Sequence, residues 1–187
     1  MSVFEEFLEV QGPAIDCTPV AEEMIARYAN VLPEQLLDHW REMGLCGYDN
    51  GMLWVVDPDD LREPLAEWLG SNAADAYPIV RTALGDIIFW KNDAAFYLNV
   101  LNGRGEVTRI VDDIEVLFFY TLCSAEFLDK GLGRDMFREA LPRLGRLGPD
   151  ECYTFMPALA LGGSFKAEKL QRVKLRENLS ILAGLRS

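Results

Sequence analysis

The stretch IVRTALGDIIFWKNDAAFYLNVLNGRGEVTRIV, residues 79–111, decides the fold of this 187-residue chain. Its apolar residues follow the period of β-strands, and short gaps of Gly, Asn and Asp interrupt them. The expected strands are Ile79–Leu84, Ile87–Lys91, Ala94–Leu101 and Glu106–Val111. Gaps of this length and composition join neighbouring antiparallel strands. We therefore predict an α+β fold, in which an antiparallel meander packs with helices in a single compact globule.

Helices are expected before and after this meander in the sequence, and they should cover at least one face of the sheet. Thr18-Pro19 offers an N-cap followed by proline at the first helical position, and Asp57-Pro58 repeats that pattern. Pro64 lacks an N–H group, so we expect it to kink or restart the second of these helices. Residues 165–185 are mostly helical by pattern.

The overall composition is that of a globular protein. Apolar residues make up 50% and charged residues 26% of the chain, which is unlike a disordered or membrane protein. No apolar run reaches the roughly 20 residues of a membrane span, and the first residues lack the basic region of a signal peptide. We therefore expect a cytoplasmic location.

The net charge of −12 is unevenly distributed. Residues 1–115 hold 22 acidic and 7 basic residues, whereas residues 116–187 hold 8 acidic and 11 basic residues. An acidic surface repels nucleic acid and anionic lipid and attracts a cationic partner. Charge by itself leaves open whether this acidity serves a partner or only solubility.

Four cysteines stand far apart in the sequence: Cys17, Cys46, Cys123 and Cys152. No Cys-x-x-Cys pair occurs, so the spacing suggests neither a zinc knuckle nor a redox dithiol. We expect four reduced, buried thiols.

No set of residues points to catalysis. His39, the only histidine, lies at the flank of a helical apolar stripe and is expected at the boundary of the core. The acidic pairs Asp59-Asp60 and Asp112-Asp113 stand at predicted helix starts, where capping explains them better than metal binding. Residues 102–105 form a hairpin turn without the length and lysine of a phosphate-binding loop. We predict no catalytic, cofactor-binding or metal-binding residue, and a binding protein in preference to an enzyme.

Several segments resemble known families. The segments GYDNGMLWVVDPDD (residues 47–60) and TALGDIIFW (residues 82–90) resemble the GAD-like domain. The segments DECYTFMPALALGG (residues 150–163) and ENLSIL (residues 177–182) resemble the C-terminal module of bacterial immunity proteins that neutralise DNase effectors of type VI secretion systems. The resemblance implies a GAD-like domain at residues 1–112 and an immunity module at residues 113–187, packed against the first.

The resemblance also implies a function. It describes a cytoplasmic antitoxin whose partner is a cognate nuclease toxin, with no cofactor, no small-molecule substrate, and no direct contact with nucleic acid or membrane. Two alternatives remain open. One is a GAD-like binding or regulatory module without a toxin partner, and the other is a hydrolase in which His39 or a carboxylate pair faces a nucleophile.

Charge and loop position select the candidate toxin contacts. They are Tyr48, as an exposed aromatic anchor, with Asp49, Asp57, Asp59, Asp60, Asp112, Asp113 and Glu115. Other aromatic residues are expected in the core: Trp54, Phe89, Trp90, Tyr153 and Phe155.

Overall fold

A seven-stranded antiparallel sheet, with its strands in sequence order, runs through the centre of the molecule. The structure is a computed structural model that describes residues 3–186. The strands are β1 Ile15–Thr18, β2 Leu45–Tyr48, β3 Leu53–Val55, β4 Tyr77–Thr82, β5 Ile87–Lys91, β6 Ala94–Asn99 and β7 Glu106–Val111. The predicted meander is confirmed in β4 to β7, and with it the α+β class. Strands β1 and β2 were not predicted.

Both faces of this sheet are covered. Alternate side chains of β5 belong to different hydrophobic clusters, with Ile88 and Trp90 in one and Ile87 and Phe89 in the other. Successive side chains of a strand point to opposite faces, so the two clusters lie on the two sides of the sheet. Buried central strands of this kind explain the dense apolar sequence of β5.

Seven α-helices pack around the sheet within residues 3–186. They are α1 Val3–Gln11, α2 Glu22–Tyr28, α3 Glu34–Met43, α4 Pro58–Leu69, α5 Ile114–Val116, α6 Arg134–Leu144 and α7 Leu175–Gly184. Two π-helical turns, Leu117–Thr121 and Phe127–Gly131, connect α5 to α6. The predicted N-cap at Thr18 is wrong: Thr18 ends β1, and α2 begins after Ala21.

Helix α4 starts as predicted but does not break at Pro64. Asp57 caps it by accepting a hydrogen bond of 2.9 Å from the Asp59 backbone N–H. The expected restart is wrong, because the helix continues through Pro64 to Leu69, whereas the kink stays a prediction. Proline leaves the carbonyl oxygen four residues earlier without its helical donor, and Arg176 of α7 donates a hydrogen bond to that oxygen, on Asp60.

A two-stranded antiparallel sheet, β8 Glu151–Phe155 with β9 Leu170–Lys174, lies beside the main sheet. Strand β8 ends before Pro157, and residues 170–174, expected in a helix, form β9. Gly163 is required in the connection, because a Cβ there would lie 1.9 Å from the Pro157 carbonyl oxygen.

Buried polar contacts join the C-terminal part of the chain to the main sheet. Arg81 of β4 is fully buried, and its guanidinium donates hydrogen bonds of 2.8 and 3.0 Å to the carbonyls of Gly148 and Pro149. Burial lowers the pKa of Arg81 to about 9. Trp68 of α4 donates a hydrogen bond to the Leu179 carbonyl of α7 at 3.2 Å. The domain boundary after Asp112 stays a prediction.

The expectation of four free, buried cysteines is confirmed only for Cys152, because two cysteines are paired and Cys123 is half-buried. Cys17 and Cys46 form a disulfide, and Cys17 is exposed. Pairing of β1 with β2 brings these two distant residues together, since Thr18 lies opposite Leu45. Cys123 and Cys152 are free thiols.

Candidate functional site

Tyr48 lies in the core, so the prediction that it is an exposed anchor is wrong. Its relative exposure is 0%. Its hydroxyl lies 3.0 Å from His39 Nε2, and its ring meets the Phe7 ring edge to face. Helices α1 and α3 thus cover the end of β2, and Tyr48 is unavailable to a partner.

Asp49 forms an internal contact. Arg138 of α6 donates a hydrogen bond of 3.0 Å to its carboxylate, and only 12% of the Asp49 side chain is exposed. The Asp49 carboxylate therefore links the turn after β2 to the C-terminal part of the chain.

The three acidic residues at the start of α4 have different surroundings. Asp57 caps the helix and also accepts a hydrogen bond of 3.2 Å from the Tyr28 hydroxyl. Asp59 forms an ion pair of 2.5 Å with Arg27. Burial, followed by the nearby charge of Asp57, raises the pKa of Asp60. Asp59 and Asp60 are exposed, whereas Asp57 is half-buried.

Asp112 and Asp113 line a groove that we call the acidic groove. It runs between the α2–α3 loop, residues 29–33, and residues 112–114, and has a volume of about 420 Å³. A smaller hollow of about 150 Å³ continues it and shares Val31, Trp90 and Asp93 with it. Four carboxylates line the two parts: Asp75, Asp93, Asp112 and Asp113.

Some of the carboxylates at the start of α5 already form contacts within the chain. Asp113 caps α5 by accepting from the backbone N–H groups of Glu115 and Val116, at 2.7 and 3.2 Å. Asp112 forms an exposed ion pair of 3.4 Å with Arg109, which holds it only weakly. Within residues 3–186, Asp75 and Asp93 have no ion pair. The acidic groove therefore presents carboxylates of the kind that pair with lysine and arginine side chains.

Sequence reasoning missed Asp75 and Asp93. The sequence indicates the Asn92-Asp93 turn as a connection between two strands. Asn92 and Asp93 adopt positive φ angles of 49° and 54°. The sequence could not show that the α2–α3 loop lies against this turn, because that loop comes about 60 residues earlier in the chain.

His39 is a core residue and not, as expected, a boundary residue. It has 1% relative exposure, and its ring stacks on Phe4 at a centroid distance of 4.0 Å. Burial lowers the pKa of His39 to about 4 and raises the pKa of Tyr48. A hydrolase would need His39 at a pocket, where it could activate a nucleophile. His39 is instead buried in the core.

Asp86 is a second buried titratable group, and it links the turn between β4 and β5 to β6. Its carboxylate accepts from the Tyr97 hydroxyl at 2.6 Å and from the Val100 N–H at 2.7 Å. Burial raises the pKa of Asp86 to about 6. Within residues 3–186 no group of three or more His, Cys, Asp or Glu residues could hold a metal ion. Over the same range, no helix has the length and apolarity to cross a membrane.

The GAD-like domain family matches residues 2–102, which is more than half of the sequence. The chain belongs to the GAD-like domain family. The C-terminal part of this GAD-like protein, residues 115–186, matches the family described as T6SS immunity protein Tdi1, C-terminal. The order of the two regions agrees with the predicted architecture. Asp112 and Asp113, at the acidic groove, lie between the two matched regions.

A solved structure supports this arrangement over the whole molecule. The crystal structure of Atu4351 from Agrobacterium tumefaciens superposes with a TM-score of 0.76 at 26% sequence identity. The match covers 96% of this GAD-like protein and 88% of the other chain. A comparison with curated proteins gives no match.

Proposed function

We propose that this chain is an immunity protein that binds and neutralises a cognate DNase toxin delivered by a type VI secretion system. It acts in the cytoplasm as a binding protein and not as an enzyme. The observation that carries this proposal is the match of residues 115–186 to the C-terminal family of a type VI secretion immunity protein.

The acidic groove supports a nuclease as the partner. A nuclease must attract phosphates, so its DNA-binding cleft is expected to be cationic. The groove and the nearby helix starts offer carboxylates that pair with the same lysine and arginine side chains. The proposed toxin contacts are Asp57, Asp59, Asp60, Asp75, Asp93, Asp112, Asp113 and Glu115.

These carboxylates are not equally suited to contact the toxin. Asp57 and Asp113 each cap a helix, so replacing either would also destabilise the fold. Asp59 already pairs with Arg27. The exposed carboxylates of Asp112 and Glu115, together with Asp93 in the groove, are the cleanest candidates.

The test is protection of living cells from the toxin. The nuclease encoded beside this chain's gene is expressed with and without the chain, and viability and DNA integrity are measured. We expect the chain to prevent DNA cleavage and to copurify with the nuclease. Unchanged killing despite good expression of the chain would overturn the proposal.

The GAD-like match favours a second candidate function, a regulatory binding module without a toxin partner. The same experiment separates the two. A regulatory module would neither protect cells from the neighbouring nuclease nor form a complex with it.

A further inference from the structure

An aromatic pair is exposed shortly after the acidic groove residues Asp112 and Asp113 in the chain. Tyr120 lies in the π-helical turn Leu117–Thr121 and is 65% exposed. Its ring meets the ring of half-buried Phe119 edge to face, at a centroid distance of 4.5 Å. Tyrosine is enriched at the sites that dominate binding energy, because its ring is apolar and its hydroxyl tolerates water. Tyr120 is therefore placed to be the exposed aromatic anchor that Tyr48 does not provide.

Helix α1 packs against this π-helical turn. The Phe7 ring lies 5.3 Å from the Phe118 ring, and Gln11 donates a hydrogen bond of 2.5 Å to the Leu122 carbonyl. Val10, next to Gln11, is 49% exposed. The end of α1 and the turn thus share one surface. We call it the Tyr120 surface, and its apolar members are Val10, Phe119 and Tyr120.

Carboxylates stand beside the apolar members of the Tyr120 surface. Glu115 precedes Phe119 by one helical turn, and Glu6 precedes Val10 by one turn of α1, so each carboxylate shares a helix face with an apolar member. Burial, followed by the nearby charge of Glu6, raises the pKa of the Cys123 thiol just beyond the π-helical turn. The negative charge of α1 therefore faces the same turn as Glu115.

Basic residues do not balance this charge. Neither α1 nor the stretch 110–129 contains a lysine or arginine. Arg109 and Lys130, at the two borders of that stretch, each form an ion pair with an acidic residue inside it. In the part of the chain that the structure describes, Glu6 and Glu115 have no ion pair. Such a surface repels anionic lipid, nucleic acid and a second copy of itself, and it attracts a cationic partner.

We propose that the Tyr120 surface docks a cationic segment of the toxin, with a lysine or arginine side chain lying over the Tyr120 ring. This inference rests on the proposed function. A cation is attracted to the face of an aromatic ring, and carboxylates beside the ring add to that attraction. Glu115 is already a proposed toxin contact, so the Tyr120 surface extends that set along the same helix. An anchor of this kind supplies the buried contact that tight binding needs, whereas rim charges mainly set the association rate.

The experiment measures the Kd of purified full-length variants for a catalytically inactive form of the neighbouring nuclease. Tyr120→Ser removes the ring, and we expect Kd to rise roughly 30-fold. Tyr120→Phe keeps the aromatic face and should stay within about twofold of the wild type, whereas Tyr120→Leu keeps only apolar bulk and should weaken binding roughly fivefold. The matched control is Leu161→Ser, at a residue that is also 65% exposed, and it should leave Kd within about twofold.

A charge variant tests the same surface without removing the ring. Glu6→Lys with Glu115→Lys should weaken binding roughly tenfold, because like charges would then face the cationic segment. Its control, Glu139→Lys with Glu168→Lys, makes the same change in net charge at exposed positions elsewhere and should bind within about threefold of the wild type. The charge variant keeps the test valid if Tyr120→Ser fails to fold.

Each outcome decides between the Tyr120 surface and the wider function. Weaker binding in Tyr120→Ser and in the charge variant, with unchanged controls, supports the inference. Wild-type affinity in either of them would overturn it and leave the immunity function standing. Wild-type affinity in Tyr120→Leu would mean an apolar occupant, and the inference would be wrong. Failure of the wild-type chain to bind the nuclease would overturn both proposals. If Tyr120→Ser instead loses self-association, measured by light scattering, while toxin affinity is unchanged, a second copy covers the surface and the inference is wrong.

Discussion

His39 illustrates how burial gives a residue a pH-dependent effect on stability. Its pKa is about 4 in the folded chain because of burial, against 6.5 ordinarily. Neutral His39 therefore contributes stability above about pH 6.5, and this contribution is lost as the pH falls toward 4, by up to about 3 kcal/mol. We expect His39→Gln, which does not titrate, to lose less stability between about pH 7 and pH 4.5 in urea unfolding.

The comparison with the variant isolates His39 from other titrating groups. Asp86 has a raised pKa of about 6, so its contribution acts in the opposite direction and is lost as the pH rises. Asp86 is present in both proteins, and its effect cancels in the difference. An equal loss of stability in wild type and His39→Gln would contradict the assignment.

Single residues were predictable where their role is local. Asp57 and Asp113 were recognised at helix starts, and both cap helices through the next few backbone N–H groups. The burial of Tyr48 was not predictable, because the residues that cover it, Phe7 and His39, lie in helices elsewhere in the sequence. The position of Asp93 at the acidic groove was not predictable for the same reason.

Among the secondary-structure elements, α4 tests how a proline is accommodated inside a helix. Arg176→Met removes the donor to the Asp60 carbonyl, and we expect a loss of about 1 kcal/mol of unfolding free energy. In a Pro64→Ala background the restored N–H can donate to that carbonyl, so Arg176→Met should cost less there. A double-mutant cycle by urea unfolding measures the difference.

Glu63→Gln provides the control for this cycle. Arg176 also pairs with Glu63 at 2.9 Å, but both side chains are largely exposed, so this pair contributes little. If Glu63→Gln reproduces the whole effect of Arg176→Met, the ion pair and not the carbonyl contact joins α7 to α4.

The Cys17–Cys46 disulfide fixes β1 at the edge of the sheet. The bond closes a sequence separation of 29 residues, and we expect its reduction to cost about 3 kcal/mol of stability. Dithiothreitol should therefore lower the urea midpoint of the wild type. The double variant Cys17→Ser, Cys46→Ser should start lower and be insensitive to the reductant. Equal sensitivity of both proteins would mean that this bond does not form in solution.

Elements were predictable when their signals lie within a short window. Strands β4 to β7 follow one another through turns of Gly, Asn and Asp, so both their period and their pairing are local. Strand β9 was assigned to a helix, because only its pairing with β8 makes it a strand. The disulfide was missed because it depends on the pairing of β1 with β2.

For the molecule as a whole, the acidic groove and the C-terminal part of the chain are held in a fixed arrangement. The acidic groove lies where the α2–α3 loop and the start of α5 meet the turn between β5 and β6. Buried contacts such as those of Arg81 and Trp68 fix the C-terminal part to the sheet. The C-terminal part therefore keeps one position relative to the acidic groove.

The acidic groove makes a prediction about the rate of association. Asp93→Asn, Asp112→Asn and Glu115→Gln together remove three negative charges near the groove, and asparagine tolerates the positive φ of Asp93. We expect the association rate with the inactive nuclease to fall roughly tenfold at low salt, with a weaker salt dependence and a similar dissociation rate. Stopped-flow fluorescence over a range of salt concentrations measures the association rate, its salt dependence and the dissociation rate.

A variant of equal charge separates the groove from the net charge of the molecule. Glu9→Gln, Glu126→Gln and Glu139→Gln remove the same three charges at exposed positions outside the groove. Electrostatic attraction weakens with distance and is screened over about 10 Å at 0.1 M salt, so this variant should associate within about twofold of the wild type. If both triple variants slow association equally, the overall charge steers the toxin and the groove does not select where it lands.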